Sequence, residues 1–128
     1  DVRAAALGEF PAPPPCPPWC ERDNNVKTRT TWQRTHVRFR AVAIPTAEVY
    51  VILTASDTFY RDRWETRSPT QIELGPGDGT VFADAESRFA VQGMLAVARL
   101  IAPEVRDAVQ AAALVARSPE VTPAGEDQ

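Results

Sequence analysis

The chain is poor in several residue types on which protein chemistry relies. It has one histidine, one methionine, two cysteines and, beside thirteen arginines, a single lysine, Lys27. One histidine and two cysteines exclude a closed zinc site with four Cys and His ligands from one copy of the chain. No stretch approaches the roughly 18 apolar residues that a membrane helix needs. Residues 1–10, DVRAAALGEF, carry charge at positions 1, 3 and 9 and lack the long apolar segment of a secretion signal. The expectation is a cytoplasmic protein with no membrane partner. No G-x-S-x-G, P-loop or H-E-x-x-H is present. The stretch GPGDG at 75–79 has the glycines of a phosphate loop but not its Lys-Ser/Thr ending. Asp57, Asp62 and Glu65 are scattered carboxylates that read as surface charge. With no mutually arranged catalytic set, the expectation is a protein that is not an enzyme.

What is there suits one small domain. The 128 residues are 44% hydrophobic and 24% charged, enough for a single core. Scarce lysine beside abundant arginine and alanine fits a GC-rich, actinobacterial source. The net charge of -3 is unevenly spread. Residues 21–67 carry a small basic excess and residues 68–128 an acidic one. A dedicated nucleic-acid binder is usually more basic than this.

The patterns divide the chain into an N-terminal arm at 1–25, a domain at 26–117 and an acidic, disordered tail at 118–128. Prolines 11, 13, 14, 15, 17 and 18 forbid helix in the arm, because proline lacks the N–H donor and drives its predecessor to extended geometry. Residues 26–35 read as extended. Residues 36–44 alternate, with Val37, Phe39, Ala41 and Ala43 on one face and His36, Arg38 and Arg40 on the other. A turn at 45–48 leads to a β-branched run in which Val49, Val51, Leu53 and Ala55 share a face, completing a hairpin. Residues 56–58, SDT, read as a turn. Residues 59–67 then read as a third strand, and 70–74 extend the sheet. From Asp84, the expected N-cap, the period becomes helical. One apolar set is Phe89, Gly93, Ala96, Val97 and Leu100; another is Val91, Met94, Leu95, Ala98 and Ile101. Pro103 begins a second helix that aligns Val105, Val109, Ala112, Ala113 and Ala116. The expected fold is α+β: a three- or four-stranded antiparallel meander packed by one or two C-terminal helices.

Two constellations can carry chemistry. Cys16 and Cys20 stand in a C-x3-C spacing, with His36 sixteen residues further on. They admit three readings: packed structural thiols with Trp19 anchoring the arm, a metal site completed by Asp23, Glu21, a water or a second subunit, or a disulfide. Zinc is the metal this donor set admits; no other cofactor is indicated. The second constellation is the alternating row Trp32, Arg34, His36, Arg38 and Arg40, joined by Tyr60 and Trp64. On an open sheet such a face suits single-stranded nucleic acid, rings stacking on bases and guanidinium groups meeting phosphates. With the whole chain acidic and no RNP-type aromatic motif, a solvated outer face whose charges keep the sheet from aggregating is the favoured reading.

Cys16, Pro17, Trp19 and Cys20 form a C-P-x-W-C motif ahead of a hairpin and an Ala-rich helix. This resembles a group of small actinobacterial proteins of unassigned activity with short strands and an Ala-rich C-terminal helix. The group carries a histidine close behind the motif; here ERDNN follows, and His36 is the later histidine. The functional expectation is a binding or regulatory module acting through a protein partner, or as a homodimer through its helices. A nucleic-acid-binding module and a zinc- or thiol-dependent protein are the alternatives.

Overall fold

Two long strands dominate the molecule. In the computed structural model, which describes residues 10–45, 47–75 and 80–117, β2 (Trp32–Ile44) pairs antiparallel with β3 (Ala47–Tyr60) over its whole length. Pro45 serves the turn between them. On the far side of β2 lies β1 (Arg22–Lys27), joined by a turn in which the Thr28 hydroxyl accepts from Thr31 N at 3.0 Å. On the far side of β3 lie β5 (Gln71–Gly75) and then β6 (Val81–Asp84). The order is therefore β1-β2-β3-β5-β6, with the short β4 (Arg63–Trp64) paired to the end of β3. The fold is α+β, as expected, with more strands than expected. The Gly-rich residues 76–79, the acidic tail at 118–128, residues 1–9 and Thr46 lie outside the described residues.

Two sequence expectations fail on β3. The SDT segment is not a turn: Ser56, Asp57 and Thr58 pair with Thr35, Arg34 and Gln33 inside the ladder. Polar side chains there answer polar partners across the strands and do not end the strand. Nor is 59–67 a strand. The chain reverses at Arg61 and Asp62, both at positive φ (54° and 67°), the geometry of a two-residue hairpin turn. Residues 65–68 then follow β3, with Glu65 N donating to Thr58 O (2.8 Å) and Ser68 N to Ser56 O (2.9 Å). The domain also begins earlier than residue 26, because β1 starts at Arg22.

The two helices are α1 (Arg88–Ile101) and α2 (Pro103–Arg117). The N-cap of α1 is Ser87, whose hydroxyl accepts from Ala90 N at 3.1 Å, and not Asp84. Asp84 makes the turn before it, accepting from Glu86 N at 2.8 Å. Ala102 is fully extended, which breaks the helix, and Pro103 opens the next one where its missing N–H costs nothing. Val91, Met94, Leu95 and Ala98 of α1 and Val105, Val109, Ala112 and Ala113 of α2 are buried. They pack on Val49, Val51, Leu53 and Ala55 of β3, Ile72 and Leu74 of β5, and Ala83 of β6. Trp19, only 5% exposed, joins that core from the arm. The outer stripe of α1 stays uncovered: Phe89 is 91% and Leu100 87% exposed.

The helices pack mainly on β3, β5 and β6. The β1–β2 side of the same sheet face is closed by the arm. At one end Phe10 packs on Phe59 (ring centroids 5.1 Å) and on Trp32 (5.5 Å), and Trp64 Nε1 donates to Pro11 O at 3.2 Å. Arg34 Nη1 holds the carbonyl of Pro14 at 3.0 Å, and Arg67 Nη2 holds that of Pro15. At the other end Cys20 N donates to Pro17 O (3.0 Å), a β-turn with Pro18 at its first corner. That turn drops Trp19 into the core and delivers Cys20 beside the strand that follows.

Candidate metal centre

His36 lies on β2 directly opposite Ala55 of β3 and Asp23 of β1. Because β3 turns Val51, Leu53 and Ala55 toward the helices and arm, its antiparallel partners turn the same way. The row Trp32, Arg34, His36, Arg38 and Arg40 therefore faces inward, while Phe39 and Ala41 are exposed on the other side. The sequence expectation of an open basic face is corrected here: the arm lies across it. Its guanidinium groups are occupied. Arg34 Nε donates to Asp23 Oδ2 at 2.5 Å, and Arg40 reaches both Glu21 oxygens at 2.6 and 2.8 Å. Arg38 lies 4.0 Å from the same carboxylate. Trp32 packs edge-on against Trp64 at 5.2 Å, with Lys27 Nζ 4.1 Å from its ring centre, while Tyr60 points to solvent.

The structure does bring Cys16, Cys20 and His36 together. Their two Sγ atoms and one ring nitrogen lie within 4.8 Å of one another. The C-x3-C spacing allows this because the Pro17–Cys20 turn folds the arm back on itself. His36 Nδ1 faces Cys20 Sγ at 3.5 Å. Cys20 Sγ also donates to Arg22 O at 3.3 Å, and Arg34 Nη2 donates to Cys16 Sγ at 3.2 Å. Cys16 is exposed, Cys20 is half-buried and packs against the edge of the apolar core, and both are free. Trp19, the expected arm anchor, is in that core.

Behind the histidine stands a buried acid. His36 Nε2 lies 2.6 Å from Asp57 Oδ2, and both side chains are 0% exposed. Arg67 closes the relay, donating from Nε to Asp57 Oδ1 at 2.8 Å and from Nη2 to Oδ2 at 2.9 Å. Burial, the largest single influence, pushes the Asp57 carboxyl up. The hydrogen bonds from Arg67 and His36, with their charges, outweigh it and hold the group below the usual carboxylate range. Asp57 is thus an acceptor only, so the proton on the imidazole belongs on Nε2. A neutral imidazole in this setting presents its Nδ1 lone pair toward Cys20 Sγ, 3.5 Å away. This is how a metal-ligating histidine is ordinarily oriented by a carboxylate.

The thiols complete the electrostatics. Burial first, and then the neighbouring Cys16, push the Cys20 thiol above its ordinary value. In the metal-free protein Cys20 keeps its proton, as its bond to the Arg22 carbonyl requires. A divalent cation displaces such protons and turns the same crowding of donors into binding energy. Asp23 is held below the usual carboxylate range by its hydrogen bond from Arg34, which burial opposes.

Two members of this centre were missed at the sequence level: Asp57, which reads there as surface charge, is fully buried, and Arg67 has no role there. Asp57 sits in phase with Val49, Val51, Leu53 and Ala55, so it is a carboxylate at an apolar-phase position. Reading SDT as a turn hid that signal. Arg67 lay in a segment read as strand, and nothing local assigns its partner. No family model, no curated protein and no solved structure matches this chain, so the reading rests on the geometry of the site itself.

Proposed function

We propose that the chain is a zinc-binding protein in which Cys16, Cys20 and His36 hold the ion, and that the metal staples the Pro-rich arm to the sheet as part of a binding module. One observation carries this reading. Three soft or borderline donors converge within 4.8 Å, and the ring of the histidine among them is held by a buried Asp57 with Nδ1 toward Cys20 Sγ. Burying a carboxylate and an imidazole together is costly unless each is well partnered. Packing alone gives no reason for that cost at a site where two thiols also meet. Zinc fits the donors best, since thiolate and imidazole ligands at tetrahedral spacing are its usual set.

The test is elemental analysis and a thiol count on protein purified under reducing conditions, followed by zinc titration of the metal-free chain. One equivalent of zinc is expected, with loss of binding in Cys20→Ser. Two freely reactive thiols and no zinc uptake would overturn the reading.

A second reading has its own support. Helix α1 is apolar on the face opposite its core contacts, where Phe89, Gly93, Val97 and Leu100 lie open. A helix apolar on both faces is ordinarily covered, which favours a protein partner or a homodimer. Mass measurement in solution, repeated with Phe89→Asp, tests it; an unchanged monomer mass in both would sink the homodimer.

A further inference from the structure

We infer that the ion held by Cys16, Cys20 and His36 keeps its fourth coordination position for a small anionic donor from solution, with a thiolate the best-matched class. The inference rests on the metal reading above and adds to it what the centre binds.

The ligand spacing has a vertex missing. Zinc–sulfur and zinc–nitrogen bonds of about 2.3 and 2.05 Å place S and N about 3.6 Å apart at the tetrahedral angle and about 3.8 Å apart in a trigonal plane. Cys20 Sγ and His36 Nδ1 are 3.5 Å apart and all three donor atoms lie within 4.8 Å of one another, close enough for one ion to gather them. A tetrahedral ion has four ligands, and among the described residues the cluster offers three.

The carboxylates around the centre are otherwise engaged. Asp23 is held by Arg34 at 2.5 Å. Both oxygens of Asp57 are taken by His36 and Arg67. Both oxygens of Glu21 are taken by Arg40. Recruiting Asp57 or Glu21 would cost an oxygen already bonded to arginine, and Asp23 is tied to Arg34 through Oδ2. Burial shows where the vertex opens. His36 is fully enclosed, Cys20 half-buried and Cys16 exposed, so the position opposite His36 looks to solvent.

Charge selects the occupant. Two thiolates neutralise the divalent ion, and the Arg34 guanidinium, paired with Asp23 and 3.2 Å from Cys16 Sγ, sets a charged hydrogen-bond donor at the rim that an anionic ligand can meet. Between anions, the softer one suits a centre that already has two sulfurs. Water holds the position until such a donor displaces it.

The experiment loads the full chain with cobalt(II) in place of zinc and follows its visible absorption under anaerobic conditions. 2-Mercaptoethanol is titrated in, with azide in a parallel arm, and retained cobalt is measured at the end. The expected result is a saturable rise of the sulfur-to-cobalt charge-transfer band by about half, as sulfur ligands go from two to three, with cobalt retained. An unchanged spectrum overturns the inference, and so does cobalt stripped by the thiol. A response to azide but not to thiol overturns the thiolate assignment. A spectrum altered by Asp23→Asn before any thiol is added identifies Asp23 as the fourth ligand and also overturns it. Failure to take up cobalt or zinc at all registers separately, in the stoichiometry, and sinks the metal reading instead.

Discussion

Replacing Asp57 by asparagine probes the relay behind the metal centre with the smallest change in shape. Asp57 accepts three hydrogen bonds, from His36 Nε2 at 2.6 Å and from Arg67 at 2.8 and 2.9 Å. An amide has one acceptor oxygen and an NH2 that only donates. If the oxygen faces Arg67, the NH2 faces His36 Nε2 and forces the imidazole proton onto Nδ1. Nδ1 is the atom that faces the sulfurs, so the ligand lone pair is lost. If the oxygen faces His36, the NH2 meets a guanidinium donor and leaves Arg67 short of an acceptor. Loss of an orienting carboxylate behind a ligating histidine costs about 10- to 100-fold in metal affinity, or about 1.4–2.7 kcal/mol. Breaking a buried charge pair costs about 3–5 kcal/mol of stability, a large part of the roughly 5–15 kcal/mol a domain has. Zinc affinity is measured by competition with a chromophoric chelator, and circular dichroism checks that Asp57→Asn is folded. Folded variant that binds zinc within about twofold of the parent would refute the relay. Arg67→Gln keeps the His36–Asp57 bond and should cost less affinity than Asp57→Asn; a larger loss would assign Arg67 a more direct part.

Further outcomes follow from the same coordinates. In the metal-free protein the depressed Asp57 carboxyl contributes stability that is full above the ordinary carboxylate value of about 3.9 and is lost as pH falls through its lower folded value. Urea midpoints of the parent and Asp57→Asn should therefore stay apart down to about pH 4 and converge only below it; a gap unchanged at pH 2 would contradict this. Trp19→Ala removes a core ring from the arm and should cost about 3–5 kcal/mol in denaturant unfolding, whereas a loss under about 1 kcal/mol would mean the arm is not part of the core. Ser87→Ala should cost about 1 kcal/mol as an N-cap, and Asp84→Ala distinctly less if Ser87 is the cap.

Particular residues show how much could be read without coordinates. The pairing of the two long strands was legible because Val49, Val51, Leu53 and Ala55 alternate cleanly with Tyr50, Ile52 and Thr54. The break between the helices was legible because Pro103 cannot sit mid-helix without a clash. The face of β2 was read the wrong way round. Phe39, Ala41 and Ala43 looked like the core side but are exposed, although Val37 beside them is buried; His36, Arg38 and Arg40 looked like the wet side. Alternation fixes which residues share a face, but not which face the rest of the chain covers. Here the covering element is the arm, whose backbone carbonyls and acidic neighbours suit a basic face better than an apolar one. Asp57 was missed because a polar triplet inside a strand looks like a turn until its partners across the ladder are known.

By itself the sequence determined the α+β order of elements, a non-helical Pro-rich arm, a helical C-terminal region broken at Pro103 and the ceiling of three Cys and His ligands per chain. These depend on local sterics, side-chain periodicity and counting, which are all contained in a short window of residues. Only the tertiary structure decided that Cys16, Cys20 and His36 meet, that Asp57 and Arg67 stand behind the histidine, and that the basic row lies on the arm side of the sheet with its arginines paired. Those facts arise from the register of β2 on β3 and from the return of the arm across the sheet. Most are contacts between residues far apart in the chain, such as Cys20 with His36 and Pro15 with Arg67, 16 and 52 positions apart, and local pattern carries no record of them.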